Sequence, residues 1–248
     1  MTPTMRTLKL ALEYDGSNYC GWQVQRTEPT IQGVLEAALA KVLDAPVRVH
    51  GAGRTDARVH ALGQVASFQT GSRIPCDALL RGLNSLLPRD VVVYEAQETA
   101  PDFHARYSAR EKVYTYRILN RPIRSALRLR YVWHVPRPLN LDAVTAAASY
   151  LRGTHDFTSF RAAGSEVKTS ERTLREVSVT RERDEILVCV AADGFLRHMV
   201  RNIMGTLVEV GCGMRNPEEV RTILAACDRR LAGRTAPPQG LDLVRVLY

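Results

Sequence analysis

The sequence predicts an α+β fold made of two similar halves with mainly antiparallel sheets. Three observations predict it. Short runs of alternating apolar residues interleave with runs at helical spacing, in both halves of the chain. Two strand-like runs, 174–180 and 185–191, flank the charged turn Arg181-Glu182-Arg183-Asp184, an arrangement that makes antiparallel hairpins. The 248 residues are 45% hydrophobic, enough for a proper core in one large or two small domains. The halves are placed at 1–105 and 106–248, and a cleft between two sheet-bearing halves is a natural place for a site.

Each element has its own warrant. Leu8, Leu10, Leu12 and Tyr14 alternate, which predicts a half-buried strand over 8–14. Thr30 is a helix cap, and Ile31, Val34, Leu35, Ala38, Leu39, Val42 and Leu43 follow at helical spacing. Strand-like runs cover 47–50 and 64–70. A helix over 77–87 ends before Pro88, with Leu79, Leu80, Leu83 and Leu87 inward. Strands follow at 91–98 and 112–120. A helix over 141–151 is capped by Asn140 and stopped by Gly153. After the hairpin, 195–210 reads as a helix with Val200, Ile203, Met204 and Leu207 as its apolar stripe. A helix over 217–227 has Asn216 as cap and Pro217 in its first turn. LDLVRVLY closes the chain as a strand.

Composition narrows the function classes. There is no apolar run of transmembrane length. The N-terminus has neither a long apolar stretch nor a small-residue cleavage site, so no secretory signal is read there. Five cysteines without a C-x-x-C pair fit a reducing cytoplasm and argue against a zinc cluster. Six scattered histidines, without H-E-x-x-H or paired Cys spacing, give a metal site no support without excluding one. GAGRTD starts a G-x-G pattern but lacks the rest of a nucleotide-binding loop, and no G-x-S-x-G elbow occurs.

The formal net charge is +8, and most of it sits in one stretch. Residues 106–130 hold eight basic side chains (Arg106, Arg110, Lys112, Arg117, Arg121, Arg124, Arg128, Arg130) against the single acid Glu111. Thirty of the 34 basic residues are arginine, whose planar fork suits phosphate oxygens and stacks on bases. This clustering points to a polyanion partner, against the plainer reading of a solvated basic face. Asp56 lies between Arg54 and Arg58, after Gly51 and Gly53. Nearby positive charge favours the carboxylate, and a carboxylate held in a rigid loop can act as nucleophile or general base. An ordinary turn with an exposed Arg–Asp pair reads equally well from these residues alone.

The loop GRTDARVHALGQV (53–65) resembles the signature of the tRNA pseudouridine synthase A family, usually G-R-T-D-A-G-V-H-A. FHARYSAREKVYTYRI (103–118), DFTSFRA (156–162), FLRHMVRNIMGTLVEVG (195–211) and GLDLVRV (240–246) fit the family in the same order. Arg58 stands where the family usually has glycine. If that position needs a positive φ, the arginine strains the turn.

The resemblance implies the pseudouridine synthase fold and an isomerisation of uridine to pseudouridine in the anticodon stem-loop of tRNA, at positions 38, 39 and 40. It implies no cofactor and no metal, a homodimer, a cytoplasmic location and no membrane. By resemblance Asp56 is the catalytic nucleophile. Arg54 helps occupy the space left by the flipped-out uridine or holds the flipped-out RNA, Tyr114 packs against the target base, and Leu241 is an aliphatic neighbour of that base. Arg201 matches a basic residue that pairs with the catalytic aspartate. Arg58, Arg106, Arg110, Lys112, Arg124 and Arg128 are then the RNA-backbone contacts. A synthase for ribosomal RNA or another tRNA site, and a non-catalytic RNA-binding protein, remain alternatives. A carboxylate-based hydrolase wants a second acid near Asp56, where the sequence supplies arginines.

Overall fold

Alternating and helical apolar spacings become strands and helices in a computed structural model of the chain, which describes residues 5–162, 164 and 168–248. In chain order the elements are β1 (Arg6–Tyr14), α1 (Ile31–Leu43), β2 (His50–Gly51), β3 (His60–Thr70), α2 (Cys76–Leu86), β4 (Val91–Thr99), β5 (Glu111–Leu119), β6 (Trp133–His134), α3 (Leu141–Ser149), β7 (Gly153–Asp156), β8 (Glu171–Glu182), β9 (Glu185–Ala192), α4 (Met199–Gly211), α5 (Glu219–Ala226) and β10 (Leu241–Leu247). All strand pairings specified below are antiparallel except that of β6 with β5. The chain divides into two compact units, Met1–Arg110 with Leu243–Tyr248, and Glu111–Asp242.

In the first unit β1 runs between β3 and β4, with Leu10 opposite Ala66 on one side and Ala96 on the other. The last residues of β10 lie beyond β3. α2 packs on β4, and α1 on α2. Leu8, Leu10 and Leu12 of β1, Ile31, Leu35 and Leu39 of α1, and Leu79 and Leu83 of α2 are fully buried. Each such side chain contributes roughly 1.5–3 kcal/mol. The Thr30 cap forms as its sequence position predicts, its hydroxyl accepting from Gly33 N at 3.3 Å.

The run 47–50 departs from its predicted strand. Only His50 and Gly51 pair with β3, opposite Ser67 and Ala66. The backbone of Val49 is satisfied by α1 side chains instead: its N–H donates to Glu36 at 2.9 Å, and its carbonyl accepts from Gln32 at 3.1 Å. With its polar groups already met, Val49 needs no ladder partner.

The second unit is the strand series β5-β9-β8-β7, with β6 beside β5. α3 packs on α4 and on β8. α4 begins at Met199 rather than at 195, because His198 takes a left-handed backbone, φ 61°, that a helix cannot include. The predicted apolar stripe is buried, but so are Asn202, Gly205, Thr206 and Val208. Their cover is the segment before β10: a Cβ on Gly205 would lie 1.6 Å from the Arg234 carbonyl oxygen. α5 begins at Glu219. Asn216 still serves its start, since its carbonyl accepts from Glu219 N at 3.1 Å and its N–H donates to the Glu219 carboxylate at 2.8 Å.

Candidate active site

Asp56 sits in the loop joining β2 to β3, and the loop is clamped on both flanks. On one side runs the segment Tyr19–Trp22. Trp22 N–H donates to the Thr55 carbonyl at 3.0 Å, and Arg58 N–H donates to the Tyr19 carbonyl at 3.1 Å. Gly21 has φ +91°, and a Cβ there would lie 2.6 Å from the Thr55 oxygen, so only glycine permits this approach. Within the loop, Val59 N–H donates to the Asp56 carbonyl at 3.2 Å, closing a turn.

On the other side lies a buried polar network. Gln64 of β3 donates to the Gly53 carbonyl at 2.8 Å and to the Tyr14 hydroxyl at 3.3 Å. Tyr14 and Thr55 share a hydroxyl–hydroxyl bond of 2.8 Å. Burial pushes the Tyr14 hydroxyl up to about 12, against the opposing effect of the bonds from Thr55 and Gln64. The loop therefore fixes Thr55 and Gly53 while Asp56 is half-buried and Arg54 and Arg58 are exposed. Arg58 has φ 63°, the left-handed backbone that the departure from glycine raises as a question.

The other candidate residues belong to the second unit. Tyr114, on β5 opposite Val190, is buried, and Phe195 meets its ring edge-on at 5.0 Å. Tyr116, two residues on, is fully buried and donates to the Pro237 carbonyl at 2.7 Å. Burial raises its hydroxyl far above the ordinary value, although Arg201 and Arg234 nearby act the other way. Arg201 of α4 is half-buried. Its Nε donates to the Ala236 carbonyl at 2.8 Å, and Ala236 N–H returns a bond to the Arg201 carbonyl at 3.0 Å. Part of the guanidinium is thus tied to the segment that leads into β10. Leu241 opens β10 and is buried.

The sequence matches the tRNA pseudouridine synthase family over residues 10–108 and 147–248, most of the chain. The chain belongs to that family. Membership makes it an isomerase, and among curated relatives its similarity is close and end to end. It is 50% identical over 246 residues to tRNA pseudouridine synthase A of Moorella thermoacetica, covering 98% of this chain and all of that one. The same named protein of Geotalea uraniireducens is 48% identical, and that of Thermoanaerobacter sp. 47%, each over 244 residues with the same coverage. One chain of a solved Cbf5–Nop10–Gar1 complex is 14% identical over 95% of this chain, which spans about half (48%) of that chain's length. Its TM-score of 0.38 is too low to bear on function.

The basic stretch is less uniform than its sequence. Arg106 and Arg110 are exposed and belong to the first unit. Lys112 is half-buried on β5, and Arg124 is exposed. Arg128 is engaged in a two-pronged pair with Glu185, its Nη2 donating to Oε2 at 2.8 Å. Arg121 pairs with Asp184 and Arg117 with Asp242. Among the described residues no helix is long and apolar enough to cross a membrane. The residues missed by sequence reasoning are the supports: Tyr14, Gly21, Trp22 and Gln64. Only Gln64, which lies within the block GRTDARVHALGQV, carried a local signal.

Proposed function

We propose that the chain converts uridine to pseudouridine at positions 38, 39 and 40 of the anticodon stem-loop of tRNA, with Asp56 as the nucleophile. The observation that carries this reading is the clamped loop: a single carboxylate, half-buried, on a backbone held from both sides, between two exposed arginines. A rigid carrier presents a carboxylate to a ribose without paying to order it at the moment of reaction.

The target uridine leaves the helical stack before its sugar is reached. Arg54 fills the space it leaves. Tyr114 packs against the extruded base, Leu241 adds an aliphatic contact, and Arg201 positions the reacting groups. Asp56 attacks, the bond between ribose C1′ and uracil N1 breaks, the base turns and joins C1′ through C5, and the bond to Asp56 breaks again to free the carboxylate. C5 loses its hydrogen as a proton to water and N1 gains a proton, so the product is an isomer of the substrate with atoms and electrons balanced. Arg58, Arg106, Arg110, Lys112, Arg124 and Arg128 meet the RNA backbone, where shape more than sequence is read. The acting form is a cytoplasmic homodimer.

The test is tritium release from tRNA carrying 5-tritiated uridine, with wild type and Asp56→Asn side by side. Wild type releases tritium to water. Asp56→Asn releases none and binds the RNA within a few fold of wild type, because one carboxylate adds little to phosphate binding. Turnover by Asp56→Asn removes the nucleophile assignment. Release that persists from a tRNA without uridine at 38–40 removes the site assignment.

A further inference from the structure

Three rings lie one against the next in the first unit, on residues given no role in the chemistry. His50 and His104 lie 4.8 Å apart between ring centroids at 37°, and His104 and Tyr107 lie 4.4 Å apart at 36°. The Arg106 guanidinium stands 5.7 Å from the centre of the Tyr107 ring. Tyr107 is 76% exposed and His50 is exposed, so the ladder is a surface feature. Interior packing does not account for it.

The ladder is rigid at its centre. His104 Nδ1 accepts from the backbone N–H groups of Arg106 at 3.1 Å and Tyr107 at 3.4 Å, which places its proton on Nε2. Burial, and then the neighbouring His50, push the His104 ring below the ordinary histidine value, in keeping with a neutral, accepting Nδ1. The His104 N–H donates to the Ser108 hydroxyl at 3.1 Å, and its carbonyl accepts from Ser108 N–H at 2.9 Å. Ala105 is buried, its N–H donating to Ser67 Oγ at 3.0 Å and its carbonyl accepting from the Tyr248 hydroxyl at 2.9 Å. Ser67 lies opposite His50 in the ladder of β2 and β3. The turn that carries Tyr107 and the strand that carries His50 are thus fastened to the same residue.

A fixed, exposed stack of aromatic rings with a guanidinium beside it is what an unpaired base needs. Bases outside a helix stack on aromatic side chains and on arginine planes, while cations meet the adjoining phosphate. We propose that the His50–His104–Tyr107 ladder is a second RNA-binding site, on which an unpaired nucleotide of the substrate other than the target uridine stacks, with Arg106 at its phosphate. The proposal rests on the reading of the chain as acting on an RNA stem-loop. His50 immediately precedes the loop that carries Asp56, so a base held there ties the RNA loop to the root of the catalytic segment.

The test uses the full chain and a synthetic anticodon stem-loop RNA with 2-aminopurine placed at each loop position in turn. Stacking quenches that fluorophore. Wild type quenches it at one position besides the target. Tyr107→Ala loses that quenching, weakens binding about ten-fold and raises KM with kcat unchanged. Tyr107→Phe restores all three, since it keeps the ring. Tyr107 is so exposed that the circular dichroism of every variant matches wild type. Wild-type affinity in Tyr107→Ala overturns the proposal, and so does a Tyr107→Leu variant that binds as well as Tyr107→Phe. Tritium release by wild type on a full-length tRNA is measured in parallel. If it is absent, the isomerase reading for that tRNA falls, and the affinity ratio of the variants still decides the ladder.

Discussion

Arg58→Gly makes the chain more stable, although it removes a side chain beside the candidate nucleophile. Arg58 has φ 63°, and its N–H is bonded to the Tyr19 carbonyl. A left-handed backbone brings Cβ against the carbonyl oxygen and costs roughly 1–2 kcal/mol for an L-residue. Glycine removes that strain, and the main-chain bond to Tyr19 stays. Glycine also gives the unfolded chain more freedom, a loss of about 0.4–1 kcal/mol. The exposed Arg58 side chain adds little packing to set against this. The balance is a gain of about 0–1.5 kcal/mol, or up to about 5 °C in Tm for a chain of this length. Arg58→Val supplies the contrast. A β-branched residue is a genuine outlier in this region, so that variant loses about 1 kcal/mol or more. Urea midpoints and thermal melts of the three proteins read both effects. A Val variant as stable as wild type, or a Gly variant less stable by more than about 1 kcal/mol, refutes the strain argument.

Three further outcomes are expected. Arg124→Ala lowers the slope of log K against log salt for tRNA by about 1, and Arg128→Ala lowers it by less because Glu185 shares that guanidinium with the phosphate; a slope changed as much by Arg128→Ala as by Arg124→Ala contradicts this. Gly205→Ala drives a methyl into the Arg234 carbonyl, on a segment tied to α4 by bonds from Gly233 N to Thr206 and from Arg234 N to Glu209. It costs about 3 kcal/mol, and a urea midpoint close to wild type shows the segment yielding instead. Tyr14 keeps its proton in the folded chain up to about 12, while the unfolded chain loses it near 10.0. The folded state then holds more protons between those values, so stability is full below about pH 10 and falls as pH rises to about 12, by about 1.4 kcal/mol per unit for this group. Tyr19, Tyr116 and Tyr248, also raised by burial, add to the fall. Tyr14→Phe shows a shallower fall of the urea midpoint between pH 10 and 12; a slope equal to wild type assigns the fall to other groups.

What could be read before the structure was whatever two local signals agreed upon. α1 was legible because a capping threonine and a helical apolar period meet at residues 30–31. β1, β5 and β9 were legible because alternation and β-forming side chains coincide. The start of α4 was hidden because the left-handed turn at His198 has no sequence signature in a non-glycine residue. The run at 47–50 misled because its apolar alternation is real, but α1 side chains take its backbone bonds. At the site, the Asp56 loop stood out by its motif and charge. Its supports did not, since Tyr14 reaches Thr55 across 41 residues and Gln64 reaches back 11. The basic stretch was visible as a count of charges, yet the Glu185 that occupies Arg128 lies 57 residues away.

The course of the chain through its two units has a consequence for biosynthesis. The first unit is opened after Arg110 and is completed only by Leu243–Tyr248. Those last residues are integral to it: Leu247 accepts from Arg110 N–H at 2.8 Å, Lys9 stands over the Tyr248 ring, and Val246 and Tyr248 pack on Ala52, Val65 and Ala105. On the ribosome, the 138 residues from Glu111 to Tyr248 must be made before the first unit can close. At about 5–20 residues per second that is a delay of roughly 7–28 s. For all of that time the part of β3 that β2 does not pair lacks its β10 neighbour, next to an uncovered apolar patch, the kind of surface that recruits other chains. Loss of Leu243–Tyr248 therefore damages the half of the molecule that was synthesised first.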